Sequence, residues 1–267
     1  MDKKIGIVGV GVVGNAVASV IPNALLYDKY KKIGSTREVN NADIIFVCVN
    51  TPYDPENGCN ISAVDEVISQ IEGNKIIVIK STVVPGTTEK MQKKYPRHSI
   101  LFNPEFLRQA RAIEDMKNPD EQIVGYTEKS KQYAQEILNI LPKSEYSFIV
   151  PSKEAEMAKY FSNTFLALKV IFANQIYDLC EKIGADYDSV KKMASVSPRF
   201  AFSHFDVLFD GYRGYSGACL PKDTKALIKF GDDIGIDLGL LKKADEVNKN
   251  LLFSNKDISD GLLNLYK

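Results

Sequence analysis

The sequence predicts an α/β fold: a doubly wound parallel sheet, then a long central helix and a small all-α domain. Three observations predict it. Strand-like and helix-like runs alternate up to about residue 150, a glycine-rich turn joins the first strand to the first helix, and an unbroken helical run covers 152–183. Strands separated by helices form parallel sheets with helices on both faces. We therefore expect a first domain over 1–150 and a second over 151–267.

The first predicted strand, over 5–8, leads into Gly9-Val10-Gly11-Val12-Val13-Gly14 and then into a helix over 15–20. A strand, a glycine turn and a helix in this order form a dinucleotide-binding fingerprint. Gly9 permits the tight turn and Gly11 lets the backbone approach a pyrophosphate at the helix N-terminus. Gly14 permits close packing of the helix on the strand. The first domain is therefore predicted to be Rossmann-like.

The second predicted strand, over 24–27, ends at Asp28, which lies about 20 residues after Gly9. An acidic residue at this distance accepts hydrogen bonds from the ribose hydroxyls and repels a 2′-phosphate. NAD is therefore the predicted cofactor. Lys29, Lys31 and Lys32 follow closely, so some tolerance of NADP stays open.

The alternation continues with strands over 42–49, 75–80, 99–102, 122–126 and 146–150, and helices over 61–71, 87–94 and 129–141. Ligands of such sheets bind beyond the carboxyl ends of the strands. After three of the predicted strands, polar residues stand beside a proline: Asn50-Thr51-Pro52, Ser81-Thr82-Val83-Val84-Pro85-Gly86 and Asn103-Pro104-Glu105-Phe106-Leu107. Turn chemistry explains any one of them. Three on one edge favour a site.

The long helix of the second domain can be capped by Ser152 and is ended by Gly184. It carries Lys159 and Asn163 one turn apart, on one face. Because it is apolar nearly all round, we expect it to be buried in a core or against a partner. The remainder, from residue 186 onward, is predicted to form short helices without a strand.

A single cysteine stands in the segment Gly217-Ala218-Cys219-Leu220-Pro221-Lys222-Asp223. Thiols attack as thiolates, which a neighbouring cation or exposed backbone amides favour, so Cys219 is a candidate nucleophile. On its own, however, the segment favours a buried cysteine before a helix, with Pro221 in the first turn and Asp223 at the N-terminus.

Composition excludes several classes of function. The 267 residues include 34 basic and 34 acidic side chains, so no net charge recruits nucleic acid or an anionic membrane. The four cysteines form no CxxC pair and there are two histidines, so we expect no metal centre. No signal-peptide pattern and no run of roughly 20 apolar residues is found. A small-molecule substrate and a cytoplasmic location are expected.

Six segments occur in a fixed order along the chain: Gly9 to Gly14, Asn50-Thr51-Pro52, Ser81 to Gly86, Pro104-Glu105-Phe106-Leu107-Arg108, Lys159 to Ala167 and Gly217 to Asp223. This ordered set resembles the UDP-glucose/GDP-mannose dehydrogenase family, and most of all its UDP-glucose branch. The resemblance implies NAD-dependent oxidation of a nucleotide sugar to the acid, here UDP-glucose to UDP-glucuronate. It also implies a homodimer formed through the long helix.

The resemblance further implies residue roles. Lys159 and Asp223 would hold the water that takes the first proton, Cys219 would attack the aldehyde, Glu105 would be the base for thioester hydrolysis, and Thr82 would position the water. Asn163 would help hold the sugar and oxyanion, and Arg199 would reach the substrate of a neighbouring subunit. The residues expected to bind cofactor are Gly9, Gly11, Val12, Val13, Gly14, Asp28, Thr51, Pro52, Thr82 and Lys222. Those expected to bind substrate are Glu105, Phe106, Leu107, Arg108, Lys159, Asn163, Arg199, Tyr215 and Gly217.

Three departures from the family pattern stand out. Gln109 replaces a glutamate that is common in the family, the path from Asp28 to residue 42 is short, and the family's third, nucleotide-gripping domain is expected to be absent. Without that domain, either the affinity for the UDP portion falls, a partner supplies the missing surface, or the chain is a fragment of a longer product. Two other classes stay open. One is an NAD-binding protein without turnover, and the other is a single-step β-hydroxyacid type of dehydrogenase, which needs a lysine but no cysteine.

Overall fold

The computed structural model describes residues 3–197, 199, 203–209 and 211–254. The chain forms two compact units. The first comprises Met1–Pro52 and Cys59–Lys159, and the second comprises Tyr53–Gly58 and Tyr160–Lys267. The boundary predicted at 150 and 151 lies at the start of the long helix. Residues 255–267 of the predicted second domain lie outside the described residues.

The first unit is built on a seven-stranded sheet in the order β2-β1-β3-β6-β7-β8-β9. Its strands are β1 (Ile5–Val8), β2 (Leu25–Tyr27), β3 (Ile44–Val47), β6 (Ile76–Ile79), β7 (Ser99–Phe102), β8 (Glu121–Tyr126) and β9 (Tyr146–Pro151). Two further two-stranded sheets pair β4 (Tyr53–Asp54) with β5 (Gly58–Cys59) and β10 (Leu208–Phe209) with β11 (Tyr212–Arg213). The predicted α/β class is confirmed.

The described helices include every helix predicted up to residue 183, together with two short ones that the sequence did not predict, over 36–39 and 112–117. They are α1 (Val12–Val20), α2 (Thr36–Val39), α3 (Ser62–Gln70), α4 (Thr87–Lys94), α5 (Ala112–Lys117), α6 (Ala134–Ile140), α7 (Ser152–Ile183), α8 (Tyr187–Ser195), α9 (Leu220–Asp233) and α10 (Gly239–Ser254). The predicted bounds of α4 and α7 coincide with those observed. The short α2 matches the short path expected after Asp28.

The sheet differs from a wholly parallel one at a single pair, because β7 and β8 run antiparallel. The helix between them, α5, does not cross the sheet. It packs on α1 through Ala112 and Met116, so the chain re-enters the sheet from the edge at which β7 ended. A parallel pair would need a crossover to the opposite edge. The sequence signal for so short a helix was too weak to predict this return.

The centre of the sheet is buried on both faces. All four residues of β3 and all four of β6 are apolar and buried, and they pack in two clusters, one on each face. Continuous apolar runs are typical of parallel strands covered on both sides by helices. Burying each such side chain stabilises the fold by about 1.5–3 kcal/mol. This core holds the strand ends, and the residues that follow them, in place.

The second unit contains α8, α9, α10 and most of α7. It differs from the predicted all-α domain at two points. The segment Tyr53–Gly58, which carries β4, belongs to it, and β10 and β11 form an antiparallel hairpin whose turn includes Gly211 at φ +82°. Its core packs Ala167, Val170 and Ile171 of α7 against Tyr215 and Ala244. Across the described ranges, no helix has both the length and the apolarity needed to cross a bilayer.

The buried His98, just before β7, makes the stability of the first unit depend on pH. Its side chain is 0% exposed and accepts a hydrogen bond from Arg97 Nε at 3.0 Å. Burial, and then the Arg97 charge, lower the pKa of His98 to about 4. In the unfolded chain the imidazole of His98 binds a proton below pH ~6.5, whereas in the folded chain it stays neutral. The free energy of unfolding therefore falls as the pH drops toward 4.

We expect the wild-type protein to lose about 2 kcal/mol more unfolding free energy than His98→Gln between pH 7 and pH 5. Urea unfolding at both pH values measures this. The wild type is compared with the variant because Glu156 also changes the stability over this range. Burial raises the pKa of Glu156 to about 7, so this residue makes the folded protein more stable as the pH falls, and it does so equally in both proteins. Parallel pH profiles for the two proteins would contradict the assignment.

Candidate functional site

The glycine turn after β1 has a backbone that larger residues could not adopt. Gly9 has φ +88°, and a Cβ there would lie 2.7 Å from the Cys48 carbonyl oxygen. A Cβ on Gly14 would lie 1.8 Å from the Gly9 oxygen. A Cβ on Gly11, at the start of α1, would meet no protein atom within 4 Å. The turn is therefore closed toward the protein at Gly9 and Gly14 and open to a ligand at Gly11.

Asp28, at the end of β2, is held by backbone donors. Its Oδ2 accepts a hydrogen bond from Val10 N at 2.8 Å, and its Oδ1 accepts from Tyr30 N at 3.0 Å and Lys31 N at 2.8 Å. Burial alone would raise the pKa of Asp28, but these hydrogen bonds lower it overall. The carboxylate is thus fixed and negatively charged beside the glycine turn. Lys31 Nζ donates to the Val10 carbonyl at 2.6 Å, which the sequence did not predict.

A cavity of about 560 Å³ lies at the carboxyl ends of β1, β2 and β3. Gly9, Gly11, Asp28, Asn50 and Pro52 line it, together with residues of α3. The first turn of α1 has no acidic residue, so its N-terminus attracts a diphosphate, and Asp28 suits ribose hydroxyls. The residues present therefore fit NAD. The fingerprint residues Val12 and Val13 belong to the first turn of α1, where Val12 is exposed.

The turns after β3 and β6 are tied together. Thr51 is buried, and its Oγ1 donates to the Thr82 carbonyl oxygen at 2.6 Å. Cys59 Sγ lies 3.5 Å from the same oxygen. Thr82 is itself buried. The predicted cofactor residues Thr51, Pro52 and Thr82 therefore lie in the turns that follow two adjacent strands, β3 and β6.

Lys159 and Glu105 form a buried pair in the first unit. Lys159 Nζ donates to the Glu105 carbonyl oxygen at 2.5 Å and lies 3.3 Å from Glu105 Oε1. The two side chains are 5% and 10% exposed. Leu107 N donates to Glu105 Oε2 at 2.7 Å, and the Phe106 ring centre lies 5.1 Å from Lys159 Nζ. The structure therefore brings together a cation, a carboxylate and an aromatic ring next to the turn that follows β7.

Arg108 has its charge neutralised within the first unit. Its Nη2 lies 2.5 Å from Asp115 Oδ1, and its Nε donates to Asp115 Oδ2 at 3.0 Å. Its backbone N–H donates to the same carboxylate at 2.8 Å. A substrate contact from Arg108 would have to compete with this two-point pair.

In the second unit, Cys219 is exposed and is the N-cap residue of α9. The other three cysteines, Cys48, Cys59 and Cys180, are buried. The structure thus excludes the core-thiol alternative for Cys219. A helix N-terminus offers unpaired N–H groups and favours negative charge, which suits a thiolate.

Asp223 lies one turn into α9 and is 1% exposed. It accepts a hydrogen bond from Asn163 Nδ2 at 2.6 Å, and Lys222 Nζ pairs with its other oxygen. The Asp223 N–H donates to the Cys219 carbonyl at 2.9 Å. The second unit therefore brings together Cys219, Lys222, Asp223 and Asn163. The side chain of Lys222, which is predicted to bind the cofactor, forms an ion pair with Asp223.

The remaining predicted substrate residues have diverse surroundings. Tyr215 is buried, donates its hydroxyl to Asp245 at 3.0 Å and its N–H to Asn248 at 2.7 Å, and so belongs to the core of the second unit. Gly217 has φ +78° with open space where a Cβ would be. Arg199 is exposed, and its neighbours 198 and 200 lie outside the described residues. Among the described residues, no group of His, Cys, Asp or Glu could hold a metal ion.

The glycine turn, the Asp28 carboxylate and the cavity beside them define a dinucleotide-binding protein of the Rossmann type. The chain belongs to the UDP-glucose/GDP-mannose dehydrogenase family. The model of the family's NAD binding domain matches residues 27–141, and the model of its central domain matches residues 153–250. NAD is therefore its cofactor.

Named relatives agree with this. UDP-glucose 6-dehydrogenase YwqF from Bacillus subtilis (strain 168) is 35% identical over 221 residues, covering 78% of this chain and 49% of YwqF. YtcA from the same strain is 30% identical over 295 residues, covering 93% of this chain and 68% of YtcA. The chain thus spans about half the length of YwqF and about two thirds of YtcA.

Solved structures show the same fold. A UDP-glucose dehydrogenase from Pyrobaculum islandicum matches with a TM-score of 0.82 and 26% identity over 94% of this chain and 68% of that one. A 3-hydroxyisobutyrate dehydrogenase from Mycobacterium tuberculosis matches with a TM-score of 0.75 over 97% of both chains. At 16% identity the second likeness concerns the fold alone.

Two glycine substitutions separate the fold from the cofactor site. Gly11→Ala meets no protein atom, so we expect the unfolding free energy to stay within about 1 kcal/mol of wild type. The affinity for NAD, measured by calorimetry, should fall at least about tenfold because the methyl group occupies the pyrophosphate approach.

Gly14→Ala is the matched control. Its Cβ would lie 1.8 Å from the Gly9 oxygen, so thermal unfolding should reveal a loss of about 3 kcal/mol or more. Equal NAD affinity in Gly11→Ala and wild type would show that the pyrophosphate does not approach Gly11.

Proposed function

We propose that this chain oxidises the primary alcohol of a nucleotide sugar to a carboxylate in two NAD-dependent steps, with UDP-glucose as substrate and UDP-glucuronate as product. The exposed Cys219 at the start of α9 carries this proposal, because a single-step alcohol oxidation needs no nucleophile. The buried Asp223 with its Asn163 and Lys222 contacts, and the name of the relative YwqF, support it.

The first oxidation needs a base for the hydroxyl proton and a cation for the developing alkoxide. When bound, NAD⁺ supplies the acceptor for the hydride of each oxidation, so two NADH form per sugar. Lys159 supplies the positive charge, and its pairing with Glu105 holds the ammonium in one position. Asp223 accepts the proton through a water molecule. The product of this step is an aldehyde.

The second oxidation runs through Cys219. Its sulfur forms a bond to the aldehyde carbon, and the aldehyde oxygen takes a proton, giving a thiohemiacetal. Loss of a hydride and of the hydroxyl proton leaves a thioester. Water then attacks the thioester carbonyl, Glu105 takes the water's proton, the carbon–sulfur bond breaks, and the sulfur regains its proton. Overall, the alcohol and one water yield the carboxylate, two NADH and three protons.

Replacing Cys219 with Ser should stop the reaction at the aldehyde, because an alcohol is a far weaker nucleophile than a thiolate. Wild-type protein with NAD⁺ and UDP-glucose should form two NADH per sugar, and Cys219→Ser at most one. Absorbance of NADH and mass spectrometry of the sugar measure both quantities. The control Cys180→Ala, at a buried cysteine, should keep the wild-type ratio.

Formation of the uronic acid by Cys219→Ser at the wild-type ratio would contradict the covalent mechanism. A ratio of one in the wild type would indicate a single-step alcohol dehydrogenase. Absence of NADH with UDP-, GDP- and dTDP-sugars would indicate an NAD-binding protein without turnover.

We also propose that the protein is a homodimer formed through α7. Five apolar side chains at helical spacing are exposed on its second-unit portion: Phe161, Phe165, Phe172, Leu179 and Ile183, at 71%, 53%, 56%, 56% and 69%. Apolar stripes of this length on soluble proteins are usually interaction surfaces. Because the stripe carries no charge, a second copy can pack on it without burying an unpaired ion.

The double variant Phe165→Glu/Phe172→Glu should be a monomer by sedimentation, since each glutamate would be buried without a partner in the dimer. Leu240→Glu, at an equally exposed apolar residue of α10, should remain a dimer. A wild-type protein that sediments as a monomer at about 50 μM, well above a typical dimer dissociation constant, would overturn the proposal.

A further inference from the structure

Lys80, directly after β6, is a buried lysine that the reaction described above does not use. It is 3% exposed. Its Nζ donates to Asn103 Oδ1 at 2.5 Å and lies 3.4 Å from the Asn103 carbonyl oxygen. Neither contact is to a carboxylate. A buried ammonium held by amide oxygens is costly to maintain, so it usually marks a functional region.

The Lys80 contact lies at the centre of a polar network across three strand ends. Asn103 is 0% exposed. Its Nδ2 donates to the Ile123 carbonyl at 2.7 Å and lies 3.4 Å from Gln122 Oε1. The network therefore joins the ends of β6 and β7 to β8, all within the first unit.

Two turns that matter for the chemistry begin at these residues. Lys80 is followed by Ser81 and Thr82, and Asn103 is followed by Pro104 and Glu105. The Lys80 to Asn103 hydrogen bond therefore ties the segment that bears Thr82 to the segment that bears Glu105.

The charged and titratable groups around Lys80 come from three elements. Burial lowers the pKa of Lys80 to about 8, Cys48 and Glu105 oppose this change, and Lys159 adds to it. Burial raises the pKa of Cys48 to about 12, so that thiol is neutral near pH 8. Glu105 therefore interacts with two positive charges, those of Lys159 and Lys80. The charge of Lys80 is lost as the pH rises through about 8.

We propose that Lys80 is a positioning residue for thioester hydrolysis, which holds the Thr82 and Glu105 turns together and adds a positive charge that attracts the Glu105 carboxylate. This inference rests on the proposed two-step function. Lys80 acts through its neighbours, and its loss should affect water attack on the thioester more than hydride transfer or binding. Hydrolysis should slow above pH 8, as the ammonium loses its proton.

The first experiment measures the covalent intermediate in the full chain. After rapid mixing with NAD⁺ and UDP-glucose, mass spectrometry of the Cys219 peptide follows the acyl-enzyme. In Lys80→Met it should accumulate and decay at least about 100-fold more slowly than in wild type, as for loss of other positioning groups. The first NADH burst and the KM for UDP-glucose should stay within about threefold. Lys169→Met, at a buried lysine of α7, should behave as wild type.

A second variant changes the charge next to Lys80, and it also removes the Asn103 Nδ2 hydrogen bond to the Ile123 carbonyl. Asn103→Asp gives Lys80 a carboxylate partner, which favours the ammonium and should raise the Lys80 pKa by at least about one unit. The alkaline fall in hydrolysis should move upward by the same amount. A wild-type pH profile in Asn103→Asp, or normal acyl-enzyme decay in a folded Lys80→Met, would overturn the proposal.

A third measurement does not require turnover. Nuclear magnetic resonance of ¹⁵N-lysine Nζ groups, with the Lys80 signal assigned by its loss in Lys80→Met, should show titration near pH 8 in wild type and higher in Asn103→Asp. Titration of Lys80 at the ordinary value of ~10.4 would overturn the charge argument even in an active enzyme. If Lys80 titrates near 8 while the wild type makes no acyl-enzyme, the two-step function fails instead.

Discussion

The register of the parallel strands β1, β3, β6 and β7 is the constraint on which the rest of the structure depends. Each strand pairs with its neighbour over the whole of its length, so that all four end at the same edge of the sheet. A shift of one residue would turn buried side chains to the opposite face and leave backbone groups unpaired. The register therefore gathers the glycine turn and the turns bearing Thr51, Thr82 and Glu105.

Buried polar side chains then set the shape of that edge. Glu156, on the first turns of α7, is 0% exposed and accepts hydrogen bonds from Gly86 N at 2.6 Å and from the backbone and hydroxyl of Thr88 at 2.8 and 2.6 Å. It caps α4, whose first N–H groups would otherwise be unpaired. Because Lys159 follows one turn later, the same segment of α7 anchors a turn of the sheet and presents a cation to Glu105.

Much of the fold was readable from the sequence because its signals are local. Apolar runs predicted β3 and β6, capping residues and Gly184 predicted the ends of α7, and a glycine spacing predicted the turn after β1. The ordered motifs also pointed to the family. The environment of single side chains was not readable, because Arg108 pairs with Asp115, Tyr215 packs on α10, and Lys80 and Glu156 are buried. A lysine directly at the end of an apolar strand run was the one signal that could have singled out Lys80.

The sequence by itself determined the α/β class, the seven strands of the main sheet, the helices α1, α3, α4, α6 and α7, the NAD fingerprint and the residue types of the candidate site. The spacing of apolar residues, the glycine pattern and the capping residues each reflect interactions within a few residues of one another. They can therefore be recognised without knowledge of the tertiary structure. Only the tertiary structure decided that β8 runs antiparallel, that Cys219 is exposed while the other three cysteines are buried, and that Lys80 meets Asn103. These outcomes depend on residues far apart in the chain, whose contacts are selected by packing and by the need to pair every buried polar group.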